Sequence, residues 1–551
     1  MDLAAVEEVI HLAQLSGDER KIAATRMLDA LRTSENRWDV GLQLFYKAGT
    51  DTAKFFGLSL VREYMDSSVP VETRKTIREA MMEWVKTYII VPETQEKAVG
   101  MTLRPPVYLI NNVVTIVTLC VKHDFPELWP SAFDEILQLG KSCVSGLDFT
   151  VRILSDLDVE VVTSFADGGT AVSSAAPTEL STSARRHKDE LLHNMAIKDA
   201  MRAGDITRNI VHLLCNSAVY LRSDAVMQQR HGRGTCNALS RRCLRCMSLF
   251  IGWIDVNLVI SETLTTLYQS LQDGVLCAPA LACLYELVKK GMDPLVKVHL
   301  INSIGVVPML ARVPLGIIDP TEANFAEDED EDKHVYELGM AIDMITLELL
   351  GVWTKYEELV LGDGKGNAPK STGLGEEVTR VRELAPIVAG MLHSVVPLLI
   401  QIFATDDNET ANTVLPALGK LVGVLKVQQA NQERLPAAIA AFMATQASAA
   451  TSPSNSAENA AMHAVAYVQI LNYFPSILGT IYRQIQYPAD FEYDANDEND
   501  AEIMEVRKMC AVLLSRLVSA LSFGAGGIIA CRCPLFCYNV AAIISFCSFF
   551  C

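Results

Sequence analysis

Apolar residues return every three or four positions along most of the chain, and this helical period limits the fold more than any other feature. Val107, Ile110, Val114, Val117 and Val121 draw one stripe; Leu281, Leu284, Leu287 and Val288 draw another. Apolar/polar alternation between hairpin turns, the mark of paired strands, is scarce. With 551 residues the chain is also too long for one core, since single hydrophobic cores stop growing at about 250–300 residues. Several domains or an open array of repeats are the two solutions.

The breaks between stripes favour the array. At Lys289-Lys290-Gly291-Met292-Asp293-Pro294 the lysines suit the negative end of one helix, and Gly291 suits a left-handed cap. Asp293 can cap the next helix, with Pro294 at its first position. Helices joined by so few residues are expected to pack antiparallel as hairpins. No strict period is visible, which excludes consensus-like tetratricopeptide or ankyrin arrays, whereas HEAT repeats have a weak consensus of about 40–47 residues. The expected fold is all-α: an α-solenoid (superhelix) of HEAT-repeat helical hairpins, each completing its core by stacking on its neighbours.

Half the residues are hydrophobic and only 7% aromatic, which suits helices better than sheets. The formal charge of −19 argues against a dedicated nucleic-acid binder, although a large array can carry a local basic patch. Of the fourteen cysteines, Cys531, Cys533, Cys537, Cys547 and Cys551 crowd the end. The others are scattered in apolar runs, as small buried hydrophobes of a reducing compartment are. The start, with Asp2, Glu7 and Glu8, has no basic region ahead of an apolar one, so nothing suggests secretion and an intracellular, soluble body is expected.

Polar segments at Asp167–Ser183, Gly362–Gly375 and Gln446–Glu458, and acidic runs at Glu327–Asp332 and Asp490–Glu502, read as solvated inter-helix loops. Gly524–Cys551 is rich in Gly, Cys, Phe and Ile and nearly uncharged, and reads as foreign to the array. Leu535–Cys551 would make a marginal membrane anchor, but Asn539 and its shortness count against that.

No catalytic constellation is legible, and neither an enzyme nor a cofactor or metal is expected. Gly362-Asp363-Gly364-Lys365-Gly366 and Lys370-Ser371-Thr372 lack the phosphate loop's Gly before Lys, which is Pro369. Cys243 and Cys246 have ligand-like spacing but no second pair, and packing in a helical core explains them. His187 and His193 have no ligand-like partners in sequence. Arg241, Arg242 and Arg245 form a dense basic cluster, read as surface.

Several segments, in order, resemble exportin-T, a family of the importin-β (karyopherin) superfamily. Lys54-Phe55-Phe56-Gly57-Leu58-Ser59-Leu60-Val61-Arg62-Glu63 resembles the second helix of the first exportin repeat, with Phe55, Phe56 and Leu60 expected to face the core. Asp124-Phe125-Pro126-Glu127-Leu128-Trp129-Pro130, followed by Phe133-Asp134-Glu135-Ile136-Leu137, is similar to a signature shared by exportins generally. Leu147–Leu154, Ala184-Arg185-Arg186, Ile197–Arg202, Trp253–Ile260, Cys283–Pro294, Asp490–Asp494 with the acids after it, and Glu505-Val506-Arg507-Lys508 resemble exportin-T segments. Order and spacing match over about residues 1–520. Arg104-Pro105-Pro106 departs from the family's basic triplet, and the double proline must begin or break a helix. His187–Ala196 looks like an insertion, and the family runs to about twice this length.

The resemblance implies a nuclear export receptor for tRNA, shuttling between nucleus and cytoplasm. Its partners would be tRNA, RanGTP and Phe-Gly nucleoporins of the pore, with no membrane. Implied Ran contacts are Lys54, Arg62 and Glu63; implied contacts to tRNA or Ran are Arg185, Arg186, Lys198 and Arg202, for which salt bridging between repeats is the plainer reading. The run Glu327–Asp332 is either a solvated loop or, by the same resemblance, a loop touching Ran or cargo. The implied organisation is N-terminal exportin-like repeats over 1–140, further repeats over 141–523 and the atypical 524–551. An exportin of protein cargo and a Ran-independent HEAT scaffold are the alternatives.

Overall fold

The computed structural model describes residues 3–14, 19–65, 69–90, 105–162, 182–316, 334–361, 375–431, 473–486 and 498–522. Among them every regular element is helical, and successive helices pair and stack as an α-solenoid of hairpins. The chain divides into two compact units, Met1–Thr263 and Leu264–Cys551.

The first unit opens with α1 (Leu3–Gln14) packed on α2 (Glu19–Arg32) and α3 (Arg37–Lys47) packed on α4 (Asp51–Met65). Val6, Ile10, Leu31, Leu44, Phe56 and Leu60 join these four helices in one core. The approach of α3 to α4 depends on two glycines. A Cβ on Gly57 would lie 2.6 Å from the Gly41 carbonyl oxygen, and one on Gly41 equally close to the Gly57 oxygen. The segment compared with the second helix of the first repeat is therefore, in this chain, the second helix of the second pair.

Next come α5 (Val71–Val85), continued by a π-helical turn at Lys86–Ile90, and α6 (Val107–Asp124). Pro106 stands immediately before α6, so the double proline begins a helix as expected. Ile110, Val114, Val117 and Val121 are buried, but Val107, in the first turn, is exposed. The pair α7 (Ala132–Ser142) and α8 (Val144–Leu157) follows, with a second π-helical turn at Asp158–Val162. Then α9 (Thr182–Ala203) leads to α10 (Ile206–Ser223), the short α11 (Ala225–His231) and α12 (Arg233–Ile251). Helices α4, α6, α8 and α12 stack in sequence as one layer, and α10 stacks on α7 in the other. The unit boundary falls within α13 (Val256–Ser270).

The second unit contains α14 (Cys277–Lys289), α15 (Pro294–Ile304), α16 (Val306–Leu310), α17 (His334–Leu361), α18 (Gly375–Phe403), α19 (Asn408–Thr413), α20 (Leu415–Ala430), α21 (Phe474–Ile485) and α22 (Glu498–Ser522). Helix α17 is its centre and packs on α14, α15, α18, α19 and α20. Leu281, Leu284, Leu287 and Val288 are buried as their spacing predicts.

At the break between α14 and α15, Asp293 Oδ1 accepts from the Leu295 and Val296 amides at 2.9 and 3.2 Å, with Pro294 in the first turn. Two expectations fail there. The chain leaves α14 extended at Lys290, so Gly291 takes no left-handed cap; that role falls to Gly305 (φ 67°), between α15 and α16. And α14 packs on α17 far more than on α15.

Candidate partner-binding face of the N-terminal unit

The segment Asp124–Pro130 forms a locked corner. The buried Asp124 carboxylate accepts from Arg74 Nε at 2.7 Å and Arg78 Nη1 at 3.2 Å, both from α5. Arg74 also donates to the Val69 carbonyl at 2.7 Å, while the Arg78 guanidinium lies 4.7 Å from the Trp129 ring centroid. Trp129 Nε1 donates to Glu135 Oε1 at 3.1 Å, and Phe125 meets Phe133 edge to face at 4.9 Å. These contacts bind α5, α6 and α7 together, so the motif acts as a joint.

Along the α6, α8 and α12 layer runs a polar ladder. Asp148 on α8 accepts from Arg152 Nε at 3.2 Å and, from the next helix in the stack, Arg242 Nη1 at 2.6 Å. Arg152 Nη1 donates to Asn111 Oδ1 on α6 at 2.8 Å. Further along, Thr115 donates to Asp156 at 3.2 Å, and burial pushes the Asp156 carboxyl upward.

The ladder ends at Lys122, whose ammonium lies 3.0 Å from Glu160 and 2.9 Å from Glu190 on α9. Helix α9 makes further polar contacts with the body. His193 Nε2 meets the Lys122 carbonyl at 2.6 Å, and Asn194 donates to the Glu160 carbonyl at 3.3 Å. At its far end Arg202 donates to the Trp253 carbonyl at 3.2 and 2.8 Å. Lys198 and Arg202 lie 6.0 and 5.4 Å from the Trp253 ring. Burial, and then Arg202, depress the Lys198 pKa. The apolar floor beneath is Leu157, Val161, Val162 and Phe250, against Ile197 and Met201.

The family described as Exportin 1-like protein matches residues 106–284, which include most of the corner, the ladder and Trp253. Exportin-T of Danio rerio is 22% identical over 502 residues, covering 90% of this chain and 41% of that protein. Exportin-T of Homo sapiens is 20% identical over 505 residues with the same shares, and that of Dictyostelium discoideum 23% identical over 337 residues, covering 60% and 26%.

The chain is similar in sequence to exportin-T over most of its length.

It spans about two-fifths of the length of the curated relatives it matches. Among solved structures it is similar to a Kap95p structure described with RanGDP (TM-score 0.37, 13% identity, 96% of this chain and 62% of that one). It is also similar to the exportin Cse1 in its cargo-free state (TM-score 0.35, 10% identity, 95% and 69%).

The residues singled out in this exportin-like sequence are not gathered in one place. On α4, Lys54 lies 3.4 Å from Asp51, Glu63 lies 3.5 Å from Arg32, and Arg62 is exposed. Phe56 and Leu60 are buried, but Phe55 is 40% exposed, because it turns toward the start of α6 and meets Tyr108 edge-on at 5.8 Å. Lys198 and Arg202 do converge, on Trp253. Arg185 and Arg186 fall on the same helix, α9, but their side chains lie outside the described residues, as do Glu327–Asp332, Asp490–Asp497, 362–374 and 524–551. His187–Ala196, expected as an insertion, is continuous with α9.

Cys243 and Cys246 are buried in α12; burial raises the Cys243 thiol well above its ordinary value and the Cys246 thiol to about 12, as for inert core thiols. Sequence reasoning missed the bridge from Asp148 to Arg242. Asp148 and Arg152 carry a visible i,i+4 signal, but Arg242 is 94 residues from Asp148.

Proposed function

We propose that this chain carries the N-terminal repeats of a nuclear export receptor for tRNA. It binds tRNA together with RanGTP in the nucleus, and gives the tRNA up in the cytoplasm after GTP hydrolysis on Ran. The observation that carries this reading is the collinear similarity to exportin-T over 90% of the chain. The activity is a binding cycle. Each ligand contributes to fixing the arrangement of the hairpins, so the second binds an array whose ordering cost is already met. Hydrolysis on Ran removes that coupling.

In this reading Lys54, Arg62 and Glu63 on α4 contact Ran, and Arg185, Arg186, Lys198 and Arg202 on α9 contact tRNA or Ran. Trp253 supports this assignment for Lys198 and Arg202 by holding both cations at one end of α9. RNA is read through backbone shape and its acceptor end. Gaps between hairpin helices take up Phe-Gly repeats of nucleoporins during passage through the pore.

The test is the affinity of labelled tRNA with and without RanGTP, at one stated salt concentration. This chain is expected to bind tRNA weakly and with little RanGTP cooperativity. A chain extended with the further repeats of an exportin-T relative is expected to gain both, because a wrapping receptor needs contacts from both arms. RanGTP binding with no tRNA binding in either length would favour an exportin of protein cargo.

A further inference from the structure

The Asp148 ladder has the makings of an anion site. Asp148 is buried, and its two oxygens each accept from a guanidinium of a different helix, Arg152 and Arg242, with Asp156 also in electrostatic reach of Arg152. Neither fork is used up. Arg152 spends Nε on Asp148 and Nη1 on Asn111, so Nη2 has no protein partner among the described residues. Among the described residues Arg242 uses only Nη1, which leaves Nε and Nη2. The Asn111 amide nitrogen, beside Arg152, is likewise unused among the described residues, and Asn111 is exposed. The side chains of Arg152 and Arg242 are 24% and 42% exposed, so the spare donors reach solvent while the carboxylate behind them does not.

A carboxylate in this position does more than neutralise. It fixes the direction of two long side chains that would otherwise lose rotamer freedom on binding, which is how guanidinium forks are made ready for an oxyanion. The donors come from three successive helices of one layer, α6, α8 and α12, whose axes are about 8–10 Å apart. A row of donors in line fits a chain of phosphates better than a single acidic side chain.

We propose that Arg152, Arg242 and Asn111, positioned by Asp148, form a cradle for the phosphodiester backbone of a bound RNA. The inference rests on the tRNA reading above and adds to it a site on the α6, α8 and α12 layer, apart from the cations of α9. Arg152, Arg242 and Asn111 contact the phosphate, and Asp148 is a positioning residue.

The experiment is a set of tRNA titrations on the full chain across a salt series, with far-UV circular dichroism and a thermal melt confirming that each variant is folded. Arg152→Gln and Arg242→Gln should each weaken binding about fivefold at low salt and lower the salt slope by about one phosphate contact. Arg242→Lys, which keeps the charge and loses the fork, should behave like Arg242→Gln. Asp148→Asn is the sharpest variant. It adds one positive charge, so simple attraction would tighten binding, whereas the cradle predicts weaker binding because the forks lose their anchor.

Tighter binding by Asp148→Asn, or wild-type binding by Arg242→Lys, would overturn the proposal while leaving the tRNA reading intact. Unchanged tRNA affinity with reduced RanGTP retention in the arginine variants would assign the face to a protein partner and also overturn it. Failure of both this chain and the extended one to bind tRNA would remove the tRNA reading itself, and the cradle with it.

Discussion

Asp124 is 1% exposed and sits between the guanidiniums of Arg74 and Arg78, themselves largely buried. Removing one member of such a group leaves uncompensated buried charge, which costs about 3–5 kcal/mol. Asp124→Ala should therefore lower stability by roughly that amount, and a chemical denaturation curve would measure it; a loss under about 1 kcal/mol would mean that Phe125 and Trp129 hold the corner alone. The sequence announces this corner, because Trp129, Pro126 and Pro130 are conspicuous. It does not announce what Asp124 does, since both partners lie about fifty residues away. The same limit applies at Gly57. Its place in an exportin-like segment is visible, but the backbone contact with Gly41 needs the hairpin to be built first. Glycine caps are legible only as candidates: Gly291 and Gly305 both stand at helix ends, and only Gly305 adopts the left-handed conformation.

Whole helices were easier to foresee than what holds them to each other. The stripes on α6 and α14 follow directly from their spacing, whereas the staples between helices are polar and distant in sequence. Helix α17 is fastened to α20 by two buried carboxylates. Asp343 Oδ1 accepts from the Ala417 amide at 2.8 Å, and Glu357 Oε1 accepts from Gln428 at 2.6 Å and Trp353 at 2.8 Å. Burial raises the Asp343 carboxyl to about 6, partly offset by the Ala417 N–H, and burial also raises Glu357.

Between the ordinary carboxylate range and about pH 6, the folded state thus holds a proton on Asp343 that the unfolded chain has released. Stability contributed by this group falls as pH rises through that window and levels off above it. Asp343→Asn keeps an acceptor for Ala417 and removes the titration. The variant should gain on the wild type in thermal melts as pH rises from about 4 to about 7. Parallel pH dependence in the two proteins would refute the assignment.

Helix α9 is the opposite case, an element with little apolar grip. Among its described side chains Leu192 and Met195 are exposed, while Ile197 and Met201 are buried. Its ion pair to Lys122 involves the half-exposed Glu190, and exposed pairs contribute about 0–1 kcal/mol. Arg202→Ala, which removes the two bonds to the Trp253 carbonyl, should speed hydrogen exchange over residues 190–203 and leave 107–121 unchanged. Equal exchange in variant and wild type would show that Ile197 and Met201 suffice.

For the molecule as a whole, length and periodicity were enough to predict an array of helix pairs, because no single core could bury the apolar surface of 551 residues. Family resemblance was legible as well, in the segment around Trp129 and those that follow it. The candidate faces were legible only in pieces: Lys198 and Arg202 were singled out, but their convergence on Trp253 and the Asp148–Arg242 bridge depend on how hairpins stack. Overall charge says little about a single face: a chain at −19 still pairs two arginines with one buried carboxylate on one layer.

The proposed role in Ran-governed transport is checked most sharply by the nucleotide state of Ran. Purified chain would be titrated with Ran loaded with a non-hydrolysable GTP analogue and, separately, with GDP. Binding of the GTP form is expected to be at least about tenfold tighter, a difference of about 1.4 kcal/mol, and to weaken when Lys54 and Arg62 are replaced together. Equal affinity for both nucleotide states, or no binding of either, would contradict it.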